Sequence, residues 1–82
     1  MNRYKTKFKA KCPNNGDTIE YLLMIESSQM IQVEMITAFL HEFEDGYHEL
    51  FADKLQDKFG GFQRLTAIHG VVTIETERGI KC

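Results

Sequence analysis

Residues 3–26 read RYKTKFKAKCPNNGDTIEYLLMIE, and this stretch decides the fold. Arg3, Lys5, Lys7, Lys9 and Lys11 alternate with Tyr4, Thr6, Phe8, Ala10 and Cys12. A strand turns successive side chains to opposite faces, so one row is basic and outward while the other packs inward. Pro13-Asn14-Asn15-Gly16-Asp17 then concentrates turn formers, with Asn15-Gly16 suited to positive φ, and the chain reverses as a hairpin. Thr18 to Glu26 is the second strand, with Ile19, Tyr21, Leu23 and Ile25 on one face. Leu22 and Met24 make its other face apolar too, which calls for cover on both sides.

Downstream the period changes. Ser27 and Ser28 end the apolar run and are natural helix caps. Residues 29–32 are compatible with either the strand or the helix. Val33, Ile36, Leu40 and Phe43 recur at helical spacing beside Phe39, with Glu34, Thr37 and His41 opposite. Asp45-Gly46 breaks this helix, and a second follows with Tyr47, Phe51, Leu55 and Phe59 at steps of four until Gly60-Gly61 stops it. From Phe62 to Arg78 β-branched residues return, placing Ile68, Val72 and Ile74 on one face and Leu65, Ala67 and Val71 on the other. Gly70 marks a bend in one long strand or the split into two. Residues 79–82 read as a tail. The expected class is α+β, in the order β-β-α-α-β, with two helices on one face of an antiparallel sheet.

The bulk numbers restrict function. Eighty-two residues make a single domain. With 43% hydrophobic and 27% charged residues the chain is compositionally globular, and its net charge of −2 argues neither for a general polyanion binder nor for an acidic mimic of nucleic acid. No apolar run approaches the roughly 20 residues of a membrane helix, and no apolar signal core follows the basic start, so a cytoplasmic protein is expected. In that compartment Cys12 and Cys82 are expected to be reduced. Two greasy helices cover one sheet face, whereas Leu22, Met24 and one side of the last strand still need cover. Self-association or a partner protein is therefore expected.

Three groups of residues are candidates for chemistry. Cys12 lies at a strand end near Lys9 and Lys11, where a thiolate would be favoured; it also reads as the last small hydrophobe of the inward row. His48 falls on the apolar side of the second helix and Glu49 away from it, an arrangement open to proton transfer or to a packing imidazole with a carboxylate at the helix N-terminus. The basic row, Arg3 to Lys11 with Lys5, Lys7 and Lys9 between, spans roughly 26 Å at about 6.6 Å per alternate residue and could follow a phosphate backbone. Edge lysines also deter aggregation, and the aromatic residues lie on the opposite side, so nucleic-acid binding is the lesser reading. His41, His48, His69 and Cys12 have no recognised metal-ligand spacing, and neither a phosphate loop nor a serine-hydrolase elbow is present.

Together, Cys12-Pro13, Gly16 and Asp17, Ile19 to Ile25, Val33-Glu34 and Tyr47-His48-Glu49 resemble the tunnelling-fold family of purine- and pterin-handling enzymes, most closely the 7-cyano-7-deazaguanine (preQ0) reductases. The resemblance spans about residues 8–76. It implies that Cys12 attacks a nitrile, Asp17 donates the proton, His48 orients the site, and Glu49 grips the amino and ring N–H groups of a heterocycle, with Glu34 as a second ligand-binding carboxylate. The sequence departs from the reductases in three places. The Cys-to-Asp turn is two residues shorter, the last hairpin is cut to His69-Gly70, and Met35-Ile36-Thr37 stands where the reductases carry their lysine-bearing nicotinamide segment. No cofactor is therefore expected.

The function these residues imply is a small non-catalytic interaction or ligand-binding domain of tunnelling-fold-like layout, an adaptor or inhibitor acting through its open sheet face. The alternative is a miniature tunnelling-fold enzyme or binder of a purine- or pterin-like heterocycle, its site at a subunit interface.

Overall fold

A computed structural model describes residues 1–80. The chain runs β1 (Asn2–Lys11), β2 (Thr18–Ser27), α1 (Val33–Leu40), α2 (His48–Phe59), β3 (Phe62–His69) and β4 (Val72–Arg78). The four strands form one antiparallel sheet in the order β1-β2-β3-β4. The α+β expectation holds, and the last segment takes its split form.

The split has a local cause. Gly70 sits at φ +64 and Val71 has no positive φ, as a type II′ hairpin turn requires, so two residues suffice to reverse the chain between His69 and its partner Val72. The reversal regroups the side chains. Ala67 pairs with Ile74 and Leu65 with Thr76, which puts Val72 and Ile74 on the face of Leu65 and Ala67 and leaves Ile68 on the other. An unbroken strand would have kept Ile68 with Val72 and Ile74.

The first hairpin is closed by its backbone. Cys12 N–H donates to the Asp17 carbonyl at 2.8 Å and Gly16 N–H to the Cys12 carbonyl at 2.8 Å. Only Gly16 of the Asn15-Gly16 pair takes positive φ. Residues 29–32 form no regular element, and α1 starts after Gln32 without a side-chain cap. Ser27 instead stabilises a turn, its Oγ accepting the Gln29 N–H at 3.1 Å. Helix α1 ends before Phe43, which packs from the following turn.

Both helices cover one sheet face. Ile36 and Leu40 of α1 and Phe51, Ala52 and Leu55 of α2 bury against Ala10, Ile19, Tyr21, Leu23, Ile25, Leu65 and Ala67. Its centre is aromatic: Phe8 stacks on Tyr21 at 4.8 Å, Phe43 stacks on Phe51 at 4.6 Å, and Tyr21 meets Phe51 edge-on at 5.5 Å. Contacts of this kind hold rings in defined orientations. The outer sheet face carries the lysine row, exposed Leu22 and Ile68, and half-buried Met24. Lys81 and Cys82, and with them the end of the expected tail and any role of Cys82, lie outside the described residues.

Candidate functional site

The chain folds Cys12 inward because the alternation of β1 carries one residue past the strand, where the turn bends the backbone over it. Cys12 is 9% exposed. Beyond it opens a cavity of about 180 Å³ whose lining includes Cys12, Tyr21, Tyr47, His48, His69 and Ile74. Every neighbouring element contributes: the β1 turn, the inward face of β2, the start of α2 and both strands of the last hairpin. Tyr47 is held over the rim by a 3.0 Å hydrogen bond from its hydroxyl to Asn14 Oδ1, and it is exposed rather than packed inward with Phe51 and Leu55.

His48 is the first residue of α2, which turns its ring back under Tyr21, with centroids 5.6 Å apart. Both ring nitrogens are shielded from solvent, and neither has a hydrogen-bond partner among the described residues. Burial pushes the His48 pKa below its ordinary value. Glu49 and the nearby Leu65 backbone oppose that shift, and Arg78 adds to it. The Tyr21 hydroxyl is pushed the other way, raised by burial and then by the charge of a Cys12 thiolate. Near neutral pH the cavity thus holds an uncharged imidazole and a protonated phenol beside the Cys12 sulfur, a setting suited to moving a proton between neighbouring groups.

The structure brings Cys12 and His48 together and leaves the carboxylates outside. Asp17 is exposed on the turn, engaged through its backbone with Cys12 and with the Asn15 side chain at 2.9 Å. Glu49 is 82% exposed and reaches Arg78 of β4 at 3.6 Å, where Asp53 also binds at 3.0 Å. Glu34 is exposed on the first turn of α1, away from this cavity. Lys5, Lys7, Lys9 and Lys11 form the expected exposed row and make no ion pair among the described residues. No group of three metal-ligating side chains converges among the described residues. Tyr21 and His69 went unassigned in the sequence reading. Their signals were a phenol interrupting an aliphatic row and a histidine at the mouth of a tight turn.

No known family signature matches the chain, and no curated protein does. A solved structure does: the crystal structure of the archaeosine synthase QueF-Like in the apo form. It superposes with a TM-score of 0.63 at 17% identity, covering 99% of this chain and 95% of that one. The likeness is one of fold and agrees with the tunnelling-fold layout read from the motifs. No helix among the described residues is long and apolar enough to cross a membrane.

Proposed function

We propose that this chain is a tunnelling-fold domain that captures a planar, purine-like heterocycle in the Cys12 cavity and that Cys12 adds to a nitrile carried by the ring. The observation that carries this reading is that Cys12 and His48 line one half-open cavity. That cavity is smaller than the roughly 300–1,000 Å³ of a drug-sized site and suits one small bicyclic ring. In the addition a bond forms between Sγ and the nitrile carbon, one π bond of the nitrile opens, and the thiol proton passes to the nitrile nitrogen. The product is a covalent thioimide, and the step needs no reductant. His48, held neutral by burial, is the relay for that proton.

The missing nicotinamide segment favours capture without reduction. The fold neighbour is named a synthase, not a reductase, and is matched over 95% of its length, so a fold of this size is adequate to hold such an activity. The carboxylates that the reductase resemblance assigns, Asp17, Glu49 and Glu34, lie outside this cavity and take no part in the step within one chain. A thermal-shift series with preQ0, guanine and a pterin tests the binding. PreQ0 is expected to raise the melting temperature most, and absence of any shift at millimolar ligand overturns the reading.

A second reading rests on Leu22 and Ile68, 41% and 44% exposed on the open sheet face. An adaptor docking there would be captured by wild-type protein and lost with Leu22→Asp, whereas equal capture by both would dismiss it.

A further inference from the structure

We propose that the Tyr21 hydroxyl activates the nitrile, donating a hydrogen bond to the nitrile nitrogen while Cys12 adds to the carbon. This role presupposes the capture reading above and falls on a residue that the reductase resemblance leaves without one.

Tyr21 points inward from the middle of β2, beside Phe8 of β1 and Ala67 of β3. It interrupts a row otherwise made of Ile19, Leu23 and Ile25. Its ring is fixed on several sides. Phe8 stacks on it at 4.8 Å with 7° between the planes, Phe51 meets it edge-on at 5.5 Å, and the His48 ring lies 5.6 Å away. The residue is 1% exposed and lines the Cys12 cavity. A buried tyrosine hydroxyl ordinarily finds a hydrogen-bond partner, yet this one has none among the described residues. Burial raises the pKa of the hydroxyl, and the charge of a Cys12 thiolate raises it further, which places it within electrostatic reach of the sulfur. A rigid donor that keeps its proton and has nothing to bind is thus set beside the nucleophile.

The addition needs such a group. As Sγ bonds to the nitrile carbon, one π pair moves onto nitrogen and negative charge develops there. A donor already in position stabilises that charge without rearranging. The apolar side chains of Ile19, Ala67 and Ile74 in the same lining strengthen the bond relative to water. The Tyr21 proton stays on its oxygen. The proton released by Cys12 reaches the nitrogen through His48, so the product is the same thioimide and nothing is oxidised or reduced. His48 cannot fill both posts, because a neutral imidazole has one acceptor and one donor nitrogen and the relay uses both. Asp17, the donor in the reductase resemblance, is outside the cavity, and the phenol supplies the contact from within the core.

Two reactions of the same sulfur separate this role from a structural one. In the Cys82→Ala background, intact mass follows both preQ0 adduct formation and alkylation by iodoacetamide, which builds no charge on nitrogen. Tyr21→Phe keeps the ring and removes only the hydroxyl. It is expected to slow the preQ0 adduct about 100-fold. The alkylation rate is expected to stay unchanged, and so is the urea midpoint, because the hydroxyl has no partner to lose. An adduct rate undiminished in Tyr21→Phe overturns the proposal. Equal losses in both reactions also overturn it, since the hydroxyl would then act on the sulfur, and a lower midpoint does so by showing the hydroxyl paired within the fold. A protein alkylated at Cys12 yet never modified by preQ0, with Tyr21 intact, overturns the capture reading itself and this role with it.

Discussion

The Cys12 N–H donates to the Asp17 carbonyl at 2.8 Å, and the side chains of these two residues diverge from that bond, the sulfur into the core and the carboxylate into solvent. The short turn leaves the Asp17 carboxylate outside the cavity. On the proposed reading the proton comes from Cys12, with His48 as its relay.

The state of His48 has a measurable consequence for stability. In the unfolded chain its imidazole titrates near 6.5, and in the fold burial holds it lower. Above that pH both states are neutral and the ring is silent. As pH falls through 6.5 the unfolded state binds the proton first, so stability drops until the folded ring titrates as well. Urea midpoints of wild type are expected to fall between about pH 7.5 and about pH 5.5 more steeply than those of His48→Phe. Equal slopes would show that burial does not hold His48 neutral.

Gln63 ties the end of α2 to β3. Its Nε2 donates to the Leu55 carbonyl at 3.0 Å and the Gly60 carbonyl at 2.8 Å, and the residue is 3% exposed. Gln63→Met keeps most of the volume and removes both bonds. A loss of about 1–3 kcal/mol in chemical denaturation is expected, and an unchanged midpoint would mean that water replaces the amide.

Two glycines separate conformational cost from crowding. Gly70 and Gly61 both take positive φ, at +64 and +67, but a Cβ on Gly70 meets open space and one on Gly61 overlaps the Glu26 carbonyl oxygen. Gly70→Ala is expected to cost about 1–2 kcal/mol. Gly61→Ala should add about 1–3 kcal/mol of overpacking to that. Equal losses in urea titrations would mean that the β2–α2 junction yields freely.

The layout was legible where periodicity was strong. Lys5 to Cys12 alternate strictly, Ile19, Tyr21, Leu23 and Ile25 hold every second position of β2, and Phe51 and Leu55 mark the inner face of α2, so sheet, helices and core follow from spacing alone. The last segment was harder, because alternation continues through His69-Gly70-Val71-Val72 unless the φ of Gly70 is known, and that single angle moves Ile68 to the other face. Gln63 was invisible for a similar reason: a glutamine at an inward position looks like a break in pattern until the end of α2 is placed beside it. At the site, the meeting of Cys12 and His48 was readable from the motif order. The outward turn of Glu49 agrees with its place on the helical wheel and departs from the ligand-gripping role the resemblance implied for it. The closing roles of Tyr21 and His69 needed the register of β2, β3 and β4.

The central claim is that the Cys12 sulfur can reach a nitrile-bearing ring inside its cavity. Intact-mass measurement of the native protein incubated with preQ0 tests it most directly. A gain equal to the whole ligand is expected, present in Cys82→Ala and absent in Cys12→Ala while the fold survives. Protein that stays unmodified at saturating ligand, or an adduct that persists in Cys12→Ala, would contradict it.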